Sequence, residues 1–280
     1  MRFAEPESPI NPVDPARPRE LKLIALQGIP EVERGSDLPR LLVAAVEHNG
    51  LRLESDDVVV IAQKIVSKSE GRLVQLATVE PSPRAVELAQ VVDKDPRLVE
   101  LILQESNQIL RTRPGTIIVE HKLGFVCANA GIDHSNVAPV LPQDGGLDLS
   151  AEDWFLLLPA DPDRSAEMIR QVIQAKTGKR VGVLIIDSHG RAWRNGTVGA
   201  AIGIAGLPGL QDLRGEPDLF GFNLQITQVG VADELAAGAS LLMGQAAEGT
   251  PVVHVRGFPY PLREGSLYEL LRPKEQDLFR

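Results

Sequence analysis

Two apolar runs, each delivering a carboxylate, constrain this chain most. Val181-Gly182-Val183-Leu184-Ile185-Ile186 leads to Asp187, and Phe125-Val126-Cys127-Ala128-Asn129-Ala130-Gly131-Ile132 leads to Asp133. Runs of this kind read as buried strands. A carboxylate at the end of a buried strand is costly to desolvate unless something compensates it. Small polar residues follow at once, His134-Ser135-Asn136 in one case and Ser188-His189-Gly190-Arg191 in the other. Hard oxygen ligands of this type suit Mg²⁺ or Mn²⁺ bridging to substrate phosphates. The bland alternative is two solvated loop aspartates.

Charge narrows the partners. The net charge of -9 argues against wholesale binding to nucleic acid or to an acidic membrane surface, so an anionic substrate needs a local basic pocket. The single cysteine, Cys127, excludes an internal disulfide and fits a reducing compartment. Its place inside an apolar run makes it a packed core thiol. No apolar run approaches the ~18 residues of a membrane span, and the N-terminus lacks a signal-peptide pattern. A cytoplasmic protein is expected.

Along the chain, residues 1–20 hold Pro6, Pro9, Pro12, Pro15 and Pro18 and read as a disordered leader. Residues 21–262 are expected to form the functional domain, with 263–280 as a tail. Strands are predicted at 21–26, 58–62, 116–119 and 252–255. Helices are predicted after caps at Ser36 or Asp37, Ser82, Asp95, and Asp163 or Ser165, the last ending at a left-handed Gly178. A long helix is expected over 232–243, and an amphipathic helix over 267–279. Leu156-Leu157-Leu158-Pro159 marks a possible boundary between halves. The Gly/Ala-rich stretch 196–210 implies close backbone packing or a backbone-lined ligand site. Strands and helices mix without strict alternation, so the expected class is α+β.

Neither a phosphate loop nor a dinucleotide fingerprint is present. Lys64, Lys68 and Arg72 follow a buried strand. Lys64 and Lys68, four apart, share a face if the segment is helical and suit phosphate oxygens; a solvated basic loop is the alternative. Arg191 and Arg194 follow the second acidic tip, where they can clamp a phosphate or carboxylate, or else serve Trp193 and Asp187 locally. His134 and His189 flank the tips and can ligate a metal or lie on the surface. Asp233-Glu234 suits a helix start.

With these residues assembled, the chain resembles the coenzyme F420-0:L-glutamate ligase family. The matching stretches are Gly28-Ile29-Pro30, Ala62 to Arg72, Asn129 to Val137, Asp187-Ser188-His189-Gly190-Arg191, Ala201 to Gly206, Val231 to Ala236 and Val255-Arg256-Gly257. The resemblance implies a mixed α+β fold, an intertwined homodimer, and a GTP-dependent ligase joining L-glutamate to a coenzyme F420 precursor, a deazaflavin, through a γ-linked amide. It implies two divalent ions, Mg²⁺ or Mn²⁺, with K⁺ as a possible further cation. Asp133 and Asp187 would hold the first ion and Ser188 would help with the second. Gln245 stands where some members carry a metal-binding Glu. Ile29, Pro30, Glu31, Val32, Gln63, Lys64, Lys68, Asn136 and Met243-Gly244-Gln245-Ala246-Ala247-Glu248-Gly249-Thr250 would surround the nucleotide. The rival functions are a metal-dependent phosphohydrolase and a non-catalytic nucleotide-binding protein.

Overall fold

In the computed structural model, residues 20–137 and 154–278 are described. The expected leader therefore lies, but for Glu20, outside the described residues. In chain order the elements are β1 (Lys22–Ala25), α1 (Leu38–His48), β2 (Val58–Ala62), α2 (Gln63–Ser69), β3 (Leu73–Gln75), α3 (Pro83–Val92) and α4 (Pro96–Gln104). Then come β4 (Ser106–Arg113), β5 (Thr116–His121), β6 (Val126–Ala128), β7 (Trp154–Leu156), α5 (Pro162–Thr177), β8 (Gly182–Arg191) and β9 (Arg194–Ala205). The chain continues through β10 (Gln211–Asp212), β11 (Gln228–Val229), α6 (Val231–Met243) and β12 (Val252–Arg256).

β-branched runs with period-two alternation build a central sheet in the order β1-β12-β2-β8-β9. Every pairing is antiparallel except β2 with β8. Alternation splits each inner strand between two cores. Val59 and Ile61 of β2 and Val183 and Ile185 of β8 face α1 and α5. Val58, Val60, Leu184 and Ile186 face α6. The architecture is α+β with mixed sheets, as the unalternating element order predicts. Smaller sheets pair β3 with β7, and β4-β5-β6. Leu158 is buried in the same core as β2 and β8, and Leu156 is fully buried beside it in sequence.

Local sequence explains most helix ends. Asp37 accepts from Arg40 N at 3.1 Å, Ser82 from Ala85 N at 3.3 Å and Asp95 from Arg97 N at 2.8 Å, each with proline in the first turn. Gly178 takes φ 68° as the left-handed cap of α5. That helix starts earlier than expected: Asp161, not Asp163 or Ser165, caps it, and Pro162 fills the first position. Asp163 is drawn inward instead, where its carboxylate accepts from Ile204 N at 2.7 Å and Leu267 N at 3.0 Å. The expected helix over 267–279 is replaced, within the described residues, by short turns at Leu267–Glu269 and Lys274–Gln276. Pro273 between them lacks the N–H a continuing helix requires.

The Gly/Ala-rich stretch is β9, and its composition serves packing. A Cβ on Gly199 would lie 2.4 Å from the Ala236 carbonyl oxygen of α6, and one on Gly203 would lie 2.6 Å from Pro162 of α5. The two helices thus clasp β9 at backbone contact. Gly199→Ala should therefore lower the urea midpoint by the equivalent of about 1–3 kcal/mol, the usual cost of overpacking. An unchanged midpoint would mean that α6 can shift at no cost. No helix among the described residues is long and apolar enough to cross a membrane.

Candidate active site

The single parallel pair locates the site. β2 and β8 run side by side with Ala62 opposite Ile186, so the next residues along, Gln63 and Asp187, emerge together at one end of the sheet. β12 runs antiparallel to this pair and β1, antiparallel to β12, runs parallel to it, so the segment before β12 and the segment after β1 reach the same end. A cleft of about 1320 Å³ opens there. It is lined by Ile29 to Val32 after β1, Gln63, Lys64 and Lys68 of α2, and Met243 to Thr250 before β12. It is also lined by Asp133, Asn136, Asp187, Ser188, Arg191 and Arg194. Asp133, Asp187, Ser188, Gln245, Arg191, Arg194 and the residues expected around the nucleotide thus share one cavity, whereas Arg72 pairs with Glu105 outside it.

Two local expectations are corrected. Neither aspartate sits at a strand tip. β6 spans only Val126–Ala128, because Asn129 and Ala130 enter the left-handed region and a tight turn over Asn129–Gly131 follows. Asp133 is then pinned by its backbone, which exchanges two 2.9 Å hydrogen bonds with Leu156. Asp187 lies inside β8, which continues to Arg191 because β9 pairs with it as far as Arg194. The polar residues after Asp187 extend a hairpin rather than end a strand. His134 is not part of the cleft lining; its ring stacks on Phe155 at 4.8 Å.

The carboxylates are held by a short relay. The buried Ser67 hydroxyl donates to Gln63 Oε1 at 2.8 Å, which turns the Gln63 amide so that Nε2 donates to Asp133 Oδ2 at 2.6 Å. Lys64 Nζ lies 3.4 Å from Asp133 Oδ1 and donates to the Ser135 carbonyl at 3.0 Å. Burial, and next the Asp187 charge, push the Asp133 carboxyl up to about 6 despite these partners. Asp133 is therefore a buried carboxylate beside a second one, Asp187, with Lys64 as its facing cation. His189 Nε2 is 3.1 Å from Asp187 Oδ2, and its ring sits against Phe125, which stacks in turn on His121. Burial pushes the Cys127 thiol up to about 12, so this thiol on the cleft wall is inert.

At the other wall, Lys68 pairs with Glu31, and Asn136 Nδ2 donates to the Ala246 carbonyl at 2.8 Å. Thr250 Oγ1 donates to the carbonyls of Leu242 and Met243, both at 3.2 Å, which folds the 243–250 segment back on the end of α6. The Ser188 hydroxyl donates to Gln245 Oε1 at 2.7 Å, bridging the two walls. Arg191 Nη2 donates to the Asn195 carbonyl at 3.2 Å. Asp233 accepts from Ala201 N at 2.9 Å at the start of α6, a structural role.

The donor set tests the expected cation. Among the described residues, no three His, Cys, Asp or Glu side chains converge, so there is no all-protein cage. Two neighbouring carboxylates, a hydroxyl and an amide oxygen fit a hard divalent ion that completes its shell with phosphate and water.

The sequence from 28 to 257 matches the family model described as F420-0:Gamma-glutamyl ligase. The chain belongs to this family. Relatives within it include the Coenzyme F420:L-glutamate ligase of Methanothermobacter thermautotrophicus, 47% identical over 93% of this chain and 99% of that protein. Proteins of the same name from Methanocaldococcus jannaschii and Archaeoglobus fulgidus are 46% and 42% identical. The first covers 81% of this chain and 86% of its own, the second 93% and 96%. Membership in the F420-0:gamma-glutamyl ligase family makes this chain a ligase.

Sequence reasoning missed Arg111 and Arg113, which line the same cleft from β4. Their only sequence signal is a spacing of two in a polar segment, which places them on one strand face.

Proposed function

We propose that this ligase joins L-glutamate to coenzyme F420-0, and to its monoglutamylated product, by a γ-linked amide, with GTP converted to GDP and phosphate. Family membership supports the reading, and the observation that carries it is the crowded Asp133–Asp187 pair between a lysine-bearing wall and an arginine-bearing wall. In this reading Ile29 to Val32, Lys64, Lys68, Asn136 and the 243–250 segment hold GTP, while Asp133, Asp187, Ser188 and Gln245 hold two Mg²⁺ or Mn²⁺ ions. Bound ions supply charge that offsets the phosphate oxygens.

The chain's own residues do the positioning. Lys68 is placed to exchange Glu31 for phosphate oxygens, and Lys64 neutralises the Asp133 side. Gln63, locked by Ser67, keeps Asp133 aimed into the cleft. The terminal carboxylate of the precursor attacks the γ-phosphorus and GDP leaves. The glutamate amine then adds to the acyl carbon and phosphate leaves, with one proton released per amide. Preorganised cations facing the transferring phosphoryl group are the main contribution of such a site.

Leu219, Phe220 and Ile226, between β10 and β11, are 97%, 94% and 88% exposed. That apolar tip suits a homodimer whose partner covers it, and the absence of a signal-peptide pattern in the sequence agrees with a cytoplasmic setting.

The test is GDP release with Mn²⁺, with and without F420-0 and L-glutamate, with K⁺ varied and the product weighed. Release that needs both substrates, with a gain of one or more glutamyl units, is expected. Release independent of both would move the chain to the phosphohydrolase reading, and tight GTP binding without turnover to the non-catalytic one.

A further inference from the structure

The two walls of the cleft differ in how their cations are used. Lys64 and Lys68, beside β2, each face a carboxylate, Asp133 and Glu31 respectively. On the other wall stand Arg111, Arg113, Arg191 and Arg194, all exposed to the cleft. None of these four is ion-paired with a carboxylate among the described residues. In a chain of net charge -9, four guanidinium groups in one cavity with no carboxylate partner among the described residues mark a place for an anion brought from outside.

Their arrangement comes from two hairpins. Arg191 and Arg194 are register partners across the β8–β9 turn. Arg111 and Arg113 lie two apart on β4, opposite Ile118 and Thr116 of β5. Ile118 in turn pairs with Ala128 of β6. This face of the three-stranded sheet looks into the cleft and carries Ile118, Val126 and Ala128, whereas the other face sends Ile117 and Val119 into the core. β6 packs beside β8, so the shelf and the second hairpin form one continuous wall. An apolar shelf rimmed by planar cationic forks fits a flat aromatic ring with an anionic tail.

We propose that this wall is the acceptor subsite: the deazaflavin ring lies on Ile118, Val126 and Ala128, and its phosphodiester and carboxylate tail is held by Arg111 and Arg113 with Arg191 and Arg194. The proposal rests on the ligase reading above and deepens it, for it separates acceptor recognition from nucleotide recognition at the β2–β8 junction. The first glutamate is then added where the tail passes the carboxylate pair.

The test uses Arg111→Gln, Arg113→Gln and the double variant, all at exposed positions where the fold tolerates change. Deazaflavin fluorescence titration with F420-0 should show affinity weakened about tenfold or more in each single variant, as expected for loss of a charge-assisted hydrogen bond. The KM for F420-0 should rise in parallel, with those for GTP and glutamate unchanged. The deazaflavin lacking its phosphate tail should bind wild type and variants alike. Unchanged F420-0 affinity in the double variant, or a rise confined to the KM for glutamate, would overturn the subsite. If wild type binds F420-0 but does not glutamylate it, the ligase reading fails while the titration still decides the subsite.

Discussion

Asp133→Asn is expected to abolish metal-dependent turnover while making the metal-free protein more stable at neutral pH. Activity should fall by about 10²–10³ or more, the range for removing one preorganised electrostatic group. The stability gain follows from the sign of the shift. The Asp133 carboxyl is raised from 3.8 to about 6, so the folded state holds its proton more tightly than the unfolded chain does. The stabilising contribution of this group is complete below pH 4 and is lost as pH rises through 6. Above that, the ionised aspartate destabilises the metal-free fold, and a shift of about two units corresponds to roughly 3 kcal/mol. Loss of the partly buried Lys64 partner offsets about a third of this in the variant. A net gain of about 1–2 kcal/mol at pH 7.5 remains, several degrees in melting temperature, and it should shrink at pH 5. Added Mn²⁺ should raise the melting temperature of wild type and not of Asp133→Asn. A variant that melts lower than wild type at pH 7.5 without metal would contradict the crowded-carboxylate description.

The second large effect is at the opposite end of the sheet. Asp57 is buried before β2, where it accepts from His254 Nε2 at 2.8 Å, from Arg256 at 2.9 and 2.8 Å, and from Glu54 N at 2.8 Å. These partners hold its carboxyl well below the usual range against the opposing cost of burial. Asp57→Ala leaves His254 enclosed without its acceptor and Arg256 with only the exposed Glu54 as counter-ion, and should cost about 2–4 kcal/mol. Because the group's affinity for protons is lowered by folding, its stabilisation is full above pH 4 and is lost only as pH falls through its depressed value. The deficit should therefore be constant between pH 5 and 8. The cleft is formed by the other ends of these strands, so kcat per folded molecule should be unchanged. A loss under 1 kcal/mol by urea unfolding would show that the cluster is not a structural clamp.

Much of the fold was legible because local signals agreed with burial. The β-branched runs of β2 and β12, and the Asp37, Ser82 and Asp95 caps, are decided within a few residues. Where tertiary partners decide, the sequence was silent. β8 runs past Asp187 only because β9 supplies its hydrogen bonds, and Asp133 reaches the site through a left-handed turn that an apolar run hides. β4 was overlooked because its residues are largely exposed and its pairing with β5 is interrupted by two register shifts, leaving no apolar alternation to read. Arg111 and Arg113 went with it. The meeting of Gln63, Asp133 and Asp187 depends on a parallel pairing across a long stretch of chain, which no local pattern encodes.

The sheet order also dictates a timetable. β12, the last strand in the chain, inserts between β1 and β2, and β1 pairs with nothing else in the sheet. During synthesis β1 and β2 leave the ribosome early and must wait for β8, β9 and finally β12. By contrast, β4, β5 and β6 pair only with their sequence neighbours and can zip as consecutive hairpins. The arginine shelf can thus exist on a nascent chain whose opposite wall is unfinished, whereas the wall assigned to GTP in the proposed function is completed by the final strand. Under that proposal, nucleotide binding requires the finished chain and reports that the closing strand has gone in.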